Sequence, residues 1–402
     1  MKVLFTFGGT TPYINRLLEI LTGKGIEVTA VIADGASAAL GRCVRLNEDE
    51  KQYTVIRTPE VRNRLSGKPH FPALPQIIEA QKPDIVVLGW PYFLDIYFYR
   101  PLLRSIRKTG AKLMVREIPY QVPPFKGSTA WFRQHPVTDE DMNLLSRGLK
   151  FKMNSTVLRH VRRYIYKRAD GAINYHSGGP AIISTYGIPK EKIFVTYNST
   201  DVEALWAHRE AAVKAERLLP ENPHRVIHMG RLVNYKRFDL IFPAIKKLSE
   251  RYPDTELLMV GEGPELENLK ALSRTAGIDD RIRFTGAVYD PELLCRYMHE
   301  SSVYILAGMG GLSINDAMAC GLPVICSADC DGTHVDLIQP GHNGYIFRQG
   351  DAESLAEKLM DTFADEKNRR AMGLNAYRTI RDRINLDIVS DRFIDAFHRV
   401  LS

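Results

Sequence analysis

The sequence predicts an α/β protein of two tandem parallel-sheet domains, and three observations carry the prediction. Short apolar runs alternate with helical stretches along all 402 residues. The alternation pauses once, between 201 and 225, where the chain turns helical and charged and then Pro-rich (LLPENPHR). The chain is also too long for one ordinary core and suits two cores of about 150–200 residues each.

Residues 2–7, 12–21 and 27–33 read as strand, helix and strand, the unit that builds a parallel sheet. Further strands follow at 85–88, 113–116, 171–174 and 193–196. Helical stretches such as 73–80, 98–108 and 180–186 flank them, so helices cover both sheet faces. Residues 1–200 therefore form a Rossmann-like domain. The second domain, 201–383, places strands at 226–229, 256–260, 282–284, 303–306, 323–325 and 344–347, with helices such as 239–251, 264–276 and 291–298 between them. Two such domains imply a cleft, with ligands at the carboxyl ends of the strands. A last segment, 384–402, holds a helix whose Ile388, Val389, Phe393, Ile394, Phe397, Val400 and Leu401 share one apolar face.

A hydrophobic fraction of 45% and a charged fraction of 25% are those of a soluble globular chain and exclude a disordered one. The opening MKVLFTFGGTTPY reads as a first strand rather than a signal peptide, and no run approaches about 18 apolar residues, which places the protein in the cytoplasm. Cys43, Cys295, Cys320, Cys326 and Cys330 are odd in number and lack paired C-x-x-C spacing, so they read as free thiols rather than a disulfide or zinc framework. The net charge of +7 hides an asymmetry. Residues 1–200 hold 29 Lys and Arg against 16 Asp and Glu, and residues 201–402 hold 25 against 31, giving +13 and −6. The basic half suits an anionic partner: phospholipid headgroups, a phosphate-linked acceptor or nucleic acid.

The segment 307–326, AGMGGLSINDAMACGLPVIC, carries the strongest chemical signal. Gly308, Gly310 and Gly311 let a ligand approach the main chain, and the helix starting near Leu312 presents unpaired N–H groups and a positive dipole end, which together suit a phosphate. Asp316, one turn into the helix, is placed to meet a ribose hydroxyl. After the strand at 226–229 come Gly230, Arg231 and Lys236. Arg231 can grip phosphate oxygens with two prongs, and Lys236 adds a mobile point charge.

This segment resembles the signature of the retaining family 4 glycosyltransferases. Asp316 stands at the family's second glutamate, followed by the matching Ala317, Met318, Ala319, Gly321, Pro323 and Val324, while Gly308 stands where the family has its first, sugar-contacting glutamate. Gly230-Arg231-Leu232 with Lys236 and Asp239 resembles a second motif. Gly261-Glu262-Gly263-Pro264, Arg283-Phe284-Thr285-Gly286 and Gly332 to Gly344 with Asp336 follow in family order.

The resemblance implies the GT-B fold, two Rossmann-like domains facing a cleft with the C-terminal helix crossing back onto the first. It implies a hexosyl transfer from a UDP- or GDP-linked sugar to a hydroxyl of a glycan or lipid-linked acceptor in cell-surface polysaccharide or glycolipid synthesis. No other cofactor is implied, and no metal where Arg231, Lys236 and the helix end neutralise the leaving diphosphate. The donor would be held by Gly8, Gly9, Gly230, Glu262, Val288, Gly308, Met309, Gly310, Gly311, Leu312 and Asp316. Val288 would meet the base largely through its backbone. The glycine at 308 implies donor selectivity unlike that of members keeping the glutamate.

Where many members carry a histidine, this chain reads Val115-Arg116-Glu117-Ile118-Pro119-Tyr120. Glu117 there either positions the acceptor or is tied to a neighbouring cation. His176 and His334 read as structural histidines. The stretch 146–170 interleaves eight cations, including Lys150, Lys152, Arg159, Arg162 and Arg163, with apolar residues, and is either an element for an anionic membrane surface or a core helix with a basic face. Trp90, Tyr92, Phe93, Tyr97, Phe98 and Tyr99 favour core packing over sugar or lipid contact. A full G-x-G-x-x-G fingerprint is absent, which argues against a nicotinamide or flavin enzyme. A sugar-nucleotide epimerase of the same fold, or a non-catalytic binder of nucleotide sugar or nucleic acid, are the alternative classes. Nucleic acid is the weakest of the partner readings.

Overall fold

The computed structural model describes residues 1–40, 46, 51–118, 122–135, 148–328, 330, 332 and 334–402. Among these the chain divides into two compact units, one of residues 1–135 and 148–197 with Leu386–Ser402, the other of Asn198–Asn385.

The first unit is built on a seven-stranded parallel sheet. Its strands are β1 (Lys2–Thr6), β2 (Glu27–Ala33), β3 (Thr54–Thr58), β4 (Ile85–Gly89), β5 (Lys112–Arg116), β6 (Gly171–Asn174) and β7 (Ile193–Val195), in the order β3-β2-β1-β4-β5-β6-β7. β1, β2, β4 and β6 are almost wholly buried, as strands covered by helices on both faces must be. The edge strand β3, with its exposed Thr54 and Arg57, is an element the apolar-run reading passed over.

One face of this sheet is closed by the helix Leu386–Leu401. Its Val389, Phe393, Ala396, Phe397 and Val400 join Val3, Phe5, Val28 and Met114 in one core. The rings of Phe393 and Phe397 lie 6.4 and 6.2 Å from that of Phe5. Lys24 pins the same helix through Asp391 at 2.7 Å. The amphipathic spacing of 386–401 thus becomes a helix that completes the N-terminal core.

The second unit holds six parallel strands, β8 (Arg225–Met229), β9 (Glu256–Val260), β10 (Ile282–Gly286), β11 (Val303–Leu306), β12 (Val324–Ser327) and β13 (Gly344–Phe347), in the order β10-β9-β8-β11-β12-β13. The order reverses between β8 and β11. This is the switch point at which adjacent loops leave the sheet in opposite directions and open a ligand crevice. The loops after β8 and β11 are the two that carry the phosphate-binding signals.

Cys295, Cys320, Cys326 and Cys330 are buried free thiols; Cys43 lies outside the described residues. Tyr92 and Phe93 belong to the first unit's core, whereas Trp90 and Tyr97 are exposed. No described helix is long and apolar enough to cross a membrane.

Candidate functional site

The site in the second unit is built by backbone before side chains. Beyond β8, Gly230 donates its N–H to the Val260 carbonyl, Leu232 donates to Glu262, Glu265 donates back to Leu232, and Gly261 donates to Gly286. These bonds zip the loops after β8, β9 and β10 into one surface. The zip requires glycine at 261: a Cβ there would sit 2.0 Å from the Gly230 carbonyl oxygen, and its φ of +148° is closed to most side chains. Leu232, fully buried, anchors the loop beneath. Glu262 enters through its carbonyl, its side chain being exposed, and Val288 is half-buried on the loop after β10.

The turn Asn234–Lys236 then folds back over this surface. Arg231 Nη2 donates to the Tyr235 hydroxyl at 2.5 Å, and Lys236 Nζ lies 5.9 Å from the same ring, so Tyr235 spaces the two cations. Lys236 is only 6% exposed. Below it is His228, fully buried in β8 with Nδ1 on the Ile305 carbonyl at 3.0 Å. Burial, with Lys236 adding, pushes the His228 pKa down to about 3. The imidazole is therefore neutral, and Lys236 carries the local positive charge. His228 escaped the sequence reading; the signal was a polar residue inside the apolar run Val-Ile-His-Met just ahead of Gly230.

The loop after β11 meets that turn main chain to main chain. Met309 donates its N–H to the Tyr235 carbonyl at 3.0 Å. A Cβ on Gly308 would lie 2.0 Å from the same oxygen and 2.8 Å from the Lys236 Cα. The residue standing in the family glutamate's place is thus a close-packing glycine, and a side chain there would part the two loops. Gly311 is open on its Cα side, Gly310 and Leu312 are half-buried, and the helix runs Ser313–Ala319, tethered by a 2.7 Å bond between the Tyr304 and Ser313 hydroxyls. Asp316 keeps an exposed edge, yet burial pushes its carboxyl up to about 6, against a lowering hydrogen bond with Thr200.

Gly230, Arg231, Lys236, Gly308 and Met309 therefore converge, with Asp316 on the helix that follows. Gly8, Gly9 and Glu117 belong to the other unit. There a Cβ on Gly8 would meet Ser37 and one on Gly9 would meet Leu46, so both glycines serve close packing. Glu117 is buried and occupied: its Oε1 accepts from Arg162 Nε and Nη2 at 2.9 and 2.7 Å, and its Oε2 from the Tyr166 hydroxyl at 2.7 Å. Arg162 is correspondingly buried and leaves the set of membrane-facing cations, because its charge is matched by Glu117 inside the unit. His176 Nδ1 accepts from the Gly178 N–H, and His334 Nδ1 lies 2.9 Å from the Cys330 Sγ; both are buried structural histidines. Pro119, Tyr120 and the 136–147 segment lie outside the described residues.

This first unit also holds a pocket of 650 Å³. Trp90, Phe98, Phe132, Phe151 and Leu158 supply apolar walls, and Glu117 with Arg162 a polar one.

Comparison with known proteins accords with this geometry. N-acetyl-alpha-D-glucosaminyl L-malate synthase of Bacillus anthracis is 26% identical over 220 residues, covering 53% of this chain and 55% of that protein. The GDP-mannose-dependent alpha-(1-6)-phosphatidylinositol monomannoside mannosyltransferase of Mycolicibacterium smegmatis is 29% identical over 159 residues, covering 37% and 41%. The chain thus spans about half the length of such relatives. Whole-chain likeness is found among solved structures. Sucrose-phosphate synthase from Thermosynechococcus elongatus superposes with a TM-score of 0.70 at 19% identity over 99% of this chain and 98% of its own. Anabaena Alr3699/HepE in complex with UDP gives 0.66 at 17% over 98% and 99%. The two parallel-sheet Rossmann-like domains are those of the GT-B fold. Residues 210–379, which contain every converging side chain described above, match the family "Glycosyl transferases group 1".

Proposed function

We propose that the protein is a retaining glycosyltransferase moving a hexosyl group from a nucleoside diphosphate sugar to a hydroxyl of a glycan or lipid-linked acceptor. The observation that carries the reading is the convergence of Arg231 and Lys236 with the Gly308–Met309 backbone at the switch point of the second sheet. As the bond from the anomeric carbon to the phosphate oxygen breaks, negative charge gathers on the departing diphosphate. Arg231 and Lys236, fixed before the reaction, meet it there. The acceptor oxygen bonds the anomeric carbon on the face the diphosphate leaves, and its proton passes to a diphosphate oxygen. Asp316, ionised above about pH 6, accepts a hydrogen bond from a ribose hydroxyl. The neighbouring structure bound to UDP, and another of the same Anabaena protein bound to UDP-glucose, favour a UDP-linked donor over a GDP-linked one, against the GDP-mannose-dependent relative.

For the acceptor, the aromatic pocket of the first unit supports an amphiphile, its apolar portion against Trp90, Phe98 and Phe151. The helix Leu149–Tyr166 supports work at an anionic inner membrane face in polysaccharide or glycolipid synthesis, since Leu149, Met153 and Val157 are exposed at helical spacing beside Lys150 and Lys152.

The test is release of free nucleoside diphosphate from a panel of UDP- and GDP-sugars. Turnover should fall by about 10²-fold or more in Arg231→Ala and in Lys236→Ala. Unaltered turnover in both variants on a competent donor would refute the mechanism.

A further inference from the structure

A second pocket, of 420 Å³, lies in the second unit at the amino ends of the strands, the sheet edge opposite the 230–237 and 307–312 loops. Its walls come from the helices Val202–Lys214 and Glu366–Arg383, from 298–302 ahead of β11 and from 320–323 ahead of β12. Arg209, Arg217, Arg369 and Arg370 all line it.

Two of these cations are accounted for. Arg370 pairs with Glu366 at 2.5 Å, and Arg217 Nε donates to the Leu219 carbonyl. The others are not. Arg369 is 7% exposed, packs its guanidinium against the Phe363 ring at 5.2 Å and makes no side-chain hydrogen bond or ion pair among the described residues. Burial pulls its pKa below the ordinary arginine value, Glu366 offsetting only part of the cost. Arg209 lies over Trp206 at 4.6 Å, and its Nε is buried without an acceptor among the described residues. The lining carboxylates do not answer them. Glu300 accepts from the Leu218 and Leu219 N–H groups at 2.8 Å each, Glu366 is held by Arg370, and Glu221 is exposed. A guanidinium held out of water without a countercharge is costly, and an incoming anion removes that cost.

We propose that this pocket binds a phosphorylated small molecule, its phosphate held by Arg369 and Arg209 and its remainder against Trp206. Two guanidiniums that make no ion pair among the described residues suit a dianion, and arginine's fork matches phosphate oxygens. The volume exceeds that of inorganic phosphate and falls in the range of small-molecule sites. It is separate from the donor loops, yet one element touches both. The Ser313–Ala319 helix follows the 307–312 loop at its amino end, and Cys320, Gly321 and Leu322 at its carboxyl end line this pocket.

The proposal stands whether or not the transferase reading does. The full chain is titrated with inorganic phosphate at constant ionic strength set by chloride, reading Tm and calorimetric Kd. Phosphate should raise the Tm of the wild type and still raise that of the Arg231→Gln/Lys236→Gln double variant, in which the donor loops no longer contribute. Arg369→Gln and Arg209→Gln should each weaken phosphate binding by about tenfold or more. In chloride alone, Arg369→Gln should be at least as stable as the wild type, since it removes an unmatched buried charge. An undiminished phosphate effect in both arginine variants would overturn the proposal. So would its loss in the Arg231/Lys236 variant, which would place the anion at the donor loops, or a lowered Tm of Arg369→Gln in chloride, which would make the guanidinium structural.

Discussion

At position 308 the difference between reading a pattern and reading a structure is a single Cβ. The pattern marks Gly308 as a departure at a sugar-contacting place, but its reason lies 73 residues earlier in the chain, where the Tyr235 carbonyl occupies the space any side chain would need. Restoring a glutamate would wedge the loops apart rather than supply a sugar contact. Even Gly308→Ala should cost roughly 1–3 kcal/mol and weaken nucleotide binding, because the Met309 to Tyr235 bond cannot close around it. A urea midpoint and nucleotide affinity both equal to the wild type would contradict this. Glu117 and Arg162 teach the same lesson. Each was visible in sequence as a charge, but only the fold, which brings them together across 45 residues, shows that they neutralise one another. Buried Asp95 offers a test in pH. Its Oδ1 accepts from Asn63 at 3.1 Å, and burial pushes its carboxyl up to about 7. The folded state thus keeps a proton that the unfolded chain loses near pH 4, so this group removes stability as pH rises from about 4 to 7. Burial lowers the pKa of neighbouring His70, which instead removes stability as pH falls below its ordinary value. Asp95→Asn should therefore stabilise the protein at pH 7.5 by roughly 1–3 kcal/mol and bring no gain at pH 4, measured by urea unfolding at both values.

Among the elements, those with a strong period were legible. The apolar runs became the central strands, and the spacing in 386–401 became the helix that closes the first unit's core. The edge strand β3 was not, since an edge strand half exposed to water lacks a continuous apolar run. The stretch 98–108 also proved discontinuous, one short helix ending at Phe98 and the next beginning at Arg100 ahead of Pro101. The closing helix makes a prediction of its own. Phe397→Ala would empty a fully buried ring site between Phe5 and Phe393 and should cost about 3–5 kcal/mol. Hydrogen exchange should show lost protection in β1 and β2 with little change in β11; an equal loss in both sheets would mean that the two units do not unfold separately.

Over the whole molecule the charge is divided, +13 in residues 1–200 and −6 in the remainder, and this was legible from composition alone. The expected consequence is adhesion to anionic but not zwitterionic vesicles at low salt, fading as ionic strength rises, and weakened by replacing Lys150, Lys152 and Arg163 with glutamine. Salt-independent sedimentation unchanged by those replacements would exclude the basic helix as the attachment. The two units also differ in continuity. Among the described residues the second runs from 198 to 385, whereas the first is finished by Leu386–Ser402. During synthesis the usual order of folding is therefore inverted. The sheet made first must wait with the face around Phe5 uncovered until the helix Leu386–Leu401 has left the ribosome, while the sheet made second can already be complete. At about 5–20 residues per second that interval lasts on the order of ten seconds or more, and it is the period in which the nascent chain most needs a chaperone.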